Sequence, residues 1–253
     1  MLKNSIMQIK DWHARYVQQA NWTQSARNYL LEKINPMPGS TALEVGCGTG
    51  AVASEIRSTQ NIHIFGIDID RSALAFSRSL DSELGLAQAD GYHLPFPNNH
   101  FTFCFCHYLL LWLNRPIPVL EEMKRVTIPS GHVVIMAEPD YGGSVCYPDA
   151  LADITKLQSK SLINQGANPF MGRRISTYLH QAGLHEHIFS VMGGEWDGSE
   201  NTGIEDGSID DVVVKYDLEI LKVTDNVKTS SELPEQGRVQ FIPTFFALAK
   251  KSG

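Results

Sequence analysis

Four cysteines in 253 residues (Cys47, Cys104, Cys106 and Cys146) form no Cys-x-x-Cys pair. That excludes a disulfide framework and the usual zinc spacings, and it makes a reducing cytoplasm the expected compartment. No stretch approaches the length of a membrane span. The longest apolar candidate, Phe101 to Leu113, is interrupted by Thr102 and His107. The first residues, MLKNSIMQIKDW, lack the apolar run and small-residue cleavage site of a secretory signal. Basic charge is also scarce, with 21 Lys and Arg against 28 Asp and Glu for a net charge of −7. Seven acids lie in 195–211 (Glu195, Asp197, Glu200, Glu205, Asp206, Asp210, Asp211), a stretch without Lys or Arg. The remainder is balanced at 21 acids and 21 bases. Neither part offers the basic face that a phosphate backbone requires, so nucleic acid is not expected as a partner. The acidic stretch reads as a solvated loop, with attraction of cationic acceptors as the alternative.

What remains is ample apolar material, 43% hydrophobic against 19% charged, enough for one large domain with additions. Apolar periodicity predicts helix over 6–34, broken near Asn21 and stopped by Asn35-Pro36-Met37-Pro38-Gly39. Strands are expected at 41–45, 63–68, 85–90, 101–106 and 132–137, with helices at 49–58, 71–80 and 116–127 between them. Several of these strands are apolar throughout. Alternation of that kind predicts an α/β fold with a doubly wound, mostly parallel sheet covered on both faces. Further helices are expected at 148–164, 174–182 and 209–221, and strands at 184–192 and 239–249. Pro243 points to an edge or bulged position for the second strand. The C-terminal part reads as the end of the same sheet carrying an insertion.

The most informative segment is Leu43-Glu44-Val45-Gly46-Cys47-Gly48-Thr49-Gly50, between a strand and a helix. Glycines allow a sharp turn and a close ligand, and the helix start offers free N–H groups. Gly46, Gly48 and Ala51 also satisfy the loose dinucleotide pattern, so an NAD-dependent oxidoreductase is one reading. Asp68 ends the second strand, 22 residues after Gly46, where a carboxylate can accept ribose hydroxyls. Asp90-Gly91 follows the third strand, a pair that a dinucleotide enzyme does not require. No Lys or Arg occurs from 42 to 56, so the loop carries no phosphate clamp.

The order of four motifs resembles the class I S-adenosylmethionine-dependent methyltransferases, in particular the small-molecule, ubiquinone-biosynthesis-like branch. They are the glycine loop, Gly66-Ile67-Asp68-Ile69-Asp70, Ala89-Asp90-Gly91-Tyr92-His93-Leu94-Pro95-Phe96, and Leu120-Glu121-Glu122-Met123-Lys124-Arg125-Val126 leading to Gly131. The likeness covers about residues 40–140. It implies a seven-stranded Rossmann-like sheet with the last strand antiparallel, a helical N-terminal lid over 1–38, and a cofactor-binding domain over 39–253. Segments 148–182 and 195–237 would be substrate-chamber additions.

The cofactor implied is S-adenosyl-L-methionine, and the reaction is in-line methyl transfer to a small organic acceptor. By the resemblance, Gly46, Cys47 and Gly48 face the methionine part and Glu44 helps hold its ammonium. Asp68 takes the ribose hydroxyls, Ile69 packs on the adenine, and Asp90, Gly91 and Tyr92 surround the base. Cys106 and His107 border the sulfonium and the acceptor. His107 is the first choice for a general base if the acceptor must lose a proton. Tyr16, Trp22, Tyr108, Asp140 and Tyr141 are the substrate or lid residues expected. Asp70 is expected to cap a helix rather than touch the cofactor. His185 and His187 share a strand face, but two ligands do not make a metal site, and none is expected. A cofactor-binding member that has lost transfer, acting as a partner subunit, is the remaining alternative.

Overall fold

A computed structural model describes residues 8–192, 217 and 239–252. Two helices, α1 (Ile9–Trp22) and α2 (Gln24–Ile34), precede the sheet. Then come β1 (Thr41–Val45), α3 (Ala51–Thr59), β2 (His63–Asp68), α4 (Arg71–Leu80), β3 (Gly85–Gln88) and β4 (Phe101–His107). They are followed by α5 (Pro116–Val126), β5 (Thr127–Pro139), β6 (Val145–Tyr147), α6 (Asp149–Asn164), α7 (Ile175–Gln181), β7 (His185–Val191), β8 (Val239–Phe241) and β9 (Thr244–Lys250). The expected helix over 209–221 and the acidic stretch lie outside the described residues, Asp217 apart.

The main sheet has seven strands in the order β3-β2-β1-β4-β5-β9-β7. The first five run parallel, and β9 is antiparallel to both its neighbours. Strand β4 sits at the centre and reads apolar on both faces because both are covered. Phe101, Cys104 and Cys106 enter one core, with α5 and α7. Phe103 and Phe105 enter the other, with α2 and α3. Ala26, Leu30 and Leu31 of α2 are buried against Val52, Ala53 and Ile56 of α3, so the N-terminal helices are built into this second layer.

Local chemistry explains several boundaries. Asp70 caps α4, its side chain accepting from the amides of Ser72 (2.9 Å) and Ala73 (3.3 Å). Pro116 opens α5, which buries Val119, Leu120, Met123 and Val126 at helical spacing and places Lys124 and Arg125 in its last turn. The break between the first two helices falls at Thr23 rather than Asn21. Pro243 corrects one expectation. It lies between β8 and β9, so no strand contains it. Strand β9 is interior, flanked by β5 and β7, while β8 pairs with β6 in a separate two-stranded sheet. A proline that lacks an N–H interrupts the strand and lets the two pieces pair with different partners. No helix among the described residues is long and apolar enough to cross a membrane.

Candidate cofactor and acceptor site

The parallel strands bring their carboxyl ends to one edge. After β1 the chain turns through Gly46 (φ +76°), Gly48 (φ +51°) and Gly50 (φ +77°), with the amides of Gly46 and Cys47 donating to the Ile67 carbonyl at 2.8 and 2.9 Å. A Cβ on Gly46 would lie 2.6 Å from Leu109 Cδ1, so the chain after β4 packs directly on the loop. At Gly48 the nearest group is the Tyr16 ring, at 3.6 Å. Helix α1 therefore lies over the loop, and the His13 ring Nδ1 fastens it to Thr49 Oγ1 at 2.9 Å. Cys47 is buried with its sulfur toward Gly66, and burial raises its thiol pKa. Its contribution to the loop is backbone.

Glu44 is buried beside this loop. Burial pushes its carboxyl up to about 8, although the Ala53 amide and the Arg27 charge favour the ionised form. Its Oε2 has no hydrogen-bond partner. An orphaned buried carboxyl oxygen is rare, and a cation or a donor placed there would satisfy it. At the end of β2, Asp68 accepts from the amides of Gly48 and Asp70, both at 2.8 Å, while burial raises its pKa. Ile69 beside it is 55% exposed, an apolar side chain left uncovered at the edge. Asp90 lies two residues beyond β3, exposed, with its carboxylate accepting from the Tyr92 amide at 3.0 Å. Gly91 packs closely on Val45 and Val119, and Tyr92 is half-buried. Asp68 and Asp90 thus stand at the ends of adjacent parallel strands, since Asp68 pairs with Gln88.

The ends of β4 and β5 form the other half of the edge. Cys106 is fully buried, and burial raises its pKa well above the ordinary thiol value. His107 is half-buried; its Nε2 lies 2.9 Å from Thr23 Oγ1, and burial, helped by the Arg27 charge, pushes its pKa down to about 3. That ring is neutral at pH 7 and a weak proton acceptor. Tyr108 has φ +49° and stacks edge-on to His107 at 4.5 Å. Glu138, fully buried, accepts from the amides of Leu110 (2.6 Å) and Leu111 (3.2 Å), capping a short 3₁₀ turn, and burial lifts its pKa to about 8. Asp140 grips Arg173 bidentately (2.5 and 2.6 Å) and accepts from the amides of Gly142 and Arg173. Its carboxylate is therefore consumed within the fold rather than presented to an acceptor.

Several polar groups of this half carried no signal in the sequence. Thr23 and Arg27 are fully buried behind His107. Arg15, buried on α1, donates to Gln18 at 2.8 Å and lies over the Trp22 ring at 4.7 Å. Its charge lowers, and that of Asp217 raises, the pKa of Tyr141, on which burial has the largest effect. Asp217, hydrogen-bonded to Ser161, is pushed up to about 7 by burial. Their spacing in the chain is uninformative because each acts across a tertiary contact. No group of three or more His, Cys, Asp or Glu able to hold a metal occurs among the described residues.

Comparison with known proteins agrees with this geometry. A family described as a methyltransferase domain matches residues 43–135. An uncharacterised methyltransferase of Schizosaccharomyces pombe is 32% identical over 165 residues, covering 60% of this chain and 58% of that one. A demethylmenaquinone methyltransferase of Renibacterium salmoninarum is 24% identical over 173 residues, 67% and 73% of the two chains. The chain thus spans a little over half the length of the first of these relatives and nearly three quarters of the second. In fold, it is similar to a methyltransferase solved with the Haloferax volcanii Trm112 activator, with TM-score 0.63 and 14% identity over 97% of this chain and 98% of that one. The cofactor of such domains, S-adenosyl-L-methionine, fits the residues present: a left-handed glycine turn with no Cβ at Gly48, an orphaned buried acid for an ammonium, and no cationic clamp in the loop. Over residues 43–135 the chain thus carries a methyltransferase domain, similar to demethylmenaquinone methyltransferases of the class I, ubiquinone-biosynthesis-like type.

Proposed function

We propose that the protein transfers a methyl group to a small organic acceptor by in-line displacement. The observation that carries this reading is the pairing of the glycine loop with the unpartnered Oε2 of buried Glu44. The loop offers a diphosphate no basic residue from 42 to 56, so the NAD-dependent reading is not supported. An ammonium suits it. Bound S-adenosyl-L-methionine supplies an activated methyl on a sulfonium with a good leaving group.

In this reading Gly46, Cys47 and Gly48 line the methionine part through backbone groups, and Glu44 draws its ammonium. Asp68 exchanges the Gly48 and Asp70 amides, or shares them, with the ribose hydroxyls. Ile69 offers its exposed face to the adenine, and Asp90, Gly91 and Tyr92 hold the base edge. Cys106 closes the floor. His107, neutral, orients the acceptor by a hydrogen bond. Holding the reacting atoms in line is worth on the order of 7–11 kcal/mol, so a strong base is not required of every acceptor.

The lid expected over 1–38, of which residues 8–38 are described, is supported by Tyr16 over Gly48 and Trp22 under Arg15. Segment 148–182 completes the chamber on the 39–253 domain, and the second addition expected, 195–237, lies outside the described residues apart from Asp217. Tyr108 and Tyr141 line it, and these aromatics favour a small organic acceptor. Asp140 supports the chamber wall. The unpaired cysteines suit a reducing compartment such as the cytoplasm.

Calorimetric titration with S-adenosylhomocysteine and with NAD tests the reading. Micromolar binding of the first and none of the second is expected, and the reverse overturns it. Methyl transfer across an acceptor panel follows. Tight cofactor binding with no transfer to any acceptor would favour the non-catalytic alternative.

A further inference from the structure

Helix α1 ends, and α2 begins, at a threonine that is fully buried and touches a residue 84 positions away. Thr23 Oγ1 lies 3.1 Å from the carbonyls of Gln19 and Ala20, the usual local back-bonding at a helix break. Local back-bonding does not account for its other two partners. Arg27 Nη1 donates to the same oxygen at 3.0 Å, and His107 Nε2 lies 2.9 Å from it. Arg27 is itself fully buried; its Nη2 donates to the Ala20 carbonyl at 3.0 Å and to Glu55. A continuous chain of contacts therefore runs Glu55–Arg27–Thr23–His107, from the outer helices to the end of β4.

The protons on this chain can be counted. Arg27 can only donate, so Oγ1 accepts there. The single hydroxyl proton goes either to a helix carbonyl, with Nε2–H donating to Oγ1, or to Nε2 itself. In both arrangements Nε2 is engaged, and Nδ1 has no hydrogen bond among the described residues. We propose that Thr23 and Arg27 are positioning residues that hold His107 by Nε2 and leave Nδ1 as the ring atom through which it meets the acceptor. This rests on the role given to His107 above.

The environment agrees. Among the described residues, the charged and titratable groups against the ring are the Arg27 guanidinium and the Tyr108 phenol, with no carboxylate hydrogen-bonded to it. A protonated ring would have to donate from Nε2 to an oxygen already accepting from a buried cation. The ring therefore stays neutral, and its direction is set by the lid helices.

Nitrogen-15 NMR of histidine-labelled, cofactor-free protein reads this directly. His107 is expected to show one dominant tautomer and no titration between about pH 5 and 8. Thr23→Val keeps the shape and removes the hydroxyl; its His107 signals should move toward mixed tautomers. Thr23→Ser should restore the native spectrum. In turnover, Thr23→Val should lower kcat about tenfold, with acceptor KM and S-adenosylhomocysteine affinity nearly unchanged, and Thr23→Ser should recover it. A His107 that titrates near its ordinary value in the wild type overturns the proposal. So does a Thr23→Val spectrum identical to the wild type. If Thr23→Val fails to fold, the wild-type and Thr23→Ser spectra still decide. A wild-type spectrum as expected in a protein that methylates nothing leaves the chain of contacts standing and removes the transferase reading instead.

Discussion

The two halves of the carboxyl edge use their polar groups in opposite ways. Around β1, β2 and β3 the groups are left open or lightly held: Glu44 keeps one oxygen unpaired, Asp90 and Ile69 are exposed, and Asp68 is tied only to loop amides. Around β4 and β5 they are consumed internally. Glu138 caps a turn, Asp140 grips Arg173, and one nitrogen of His107 is taken by Thr23. An edge that must recognise an invariant cofactor can present groups from short loops. On the proposed reading, the edge that faces the acceptor is kept rigid by its own acids, and recognition would fall to the tyrosines, His107 and the added helices.

The sharpest test of that contrast is Glu138→Ala. It strips buried amides of their acceptor, and each such orphan costs about 1–3 kcal/mol. A loss of about 3–5 kcal/mol in urea unfolding is expected, with S-adenosylhomocysteine affinity preserved in the folded fraction. Glu138→Gln keeps one acceptor oxygen and should cost clearly less. A Glu138→Ala protein of native stability and lost activity would make this acid functional and erase the distinction between the halves.

Asp68→Ala should do the opposite. The side chain is half-buried at a loop, so the fold survives. Charged hydrogen bonds to ribose are worth about 1.5–3 kcal/mol, or roughly 10–100-fold in affinity. Calorimetry showing unchanged binding would remove Asp68 from the ribose.

These two acids also mark how far the sequence could be read. The position of Asp68 was legible because it follows from local pattern: a strand end at a set distance beyond the glycine turn. Asp70 was legible because a cap depends only on its next three residues, and α5 because its apolar spacing and leading proline are local. Glu138 and Asp140 also occupy a strand end, and nothing nearby in the chain announces that Leu110 or Arg173 will take them. Thr23, Arg27 and His13 lay in a stretch that reads simply as helix, since their partners arrive from β4, α3 and the loop. Pro243 was visible, yet its effect depended on β6, a partner strand that no local pattern specifies. Periodicity and turn chemistry are short-range signals, and the acceptor half is assembled from long-range ones.

Glu44 sharpens the comparison through pH. Its carboxyl sits near 8 in the cofactor-free chain, raised from an ordinary 4.5, so below that value it holds a proton. An ammonium binds the ionised form, and binding must expel that proton. Affinity for S-adenosylhomocysteine should therefore rise with pH up to about 8, by at most about tenfold per unit, and then level. Glu44→Gln should flatten the profile, because the amide does not titrate in this range. A wild-type profile already flat between about pH 6 and 8 would mean that Glu44 does not meet the cation.

The smallest effect expected belongs to the lid. Tyr16 lies over Gly48 but is 37% exposed, so it covers the loop without being fixed there. Removing a partly exposed ring forfeits only part of its burial, about 1 kcal/mol, and Tyr16→Ala should weaken S-adenosylhomocysteine binding by about fivefold. Gly48→Ala makes the complementary change. Its Cβ would make ordinary van der Waals contact with that ring at 3.6 Å, so the cost comes from the left-handed φ of +51°, again about 1 kcal/mol, in loop geometry rather than collision. If Tyr16 closes the loop, the two variants combined should weaken binding by less than the product of the single effects, because both act at one contact. Strictly multiplicative losses would place Tyr16 and the glycine turn in separate roles and confine the lid to the acceptor half.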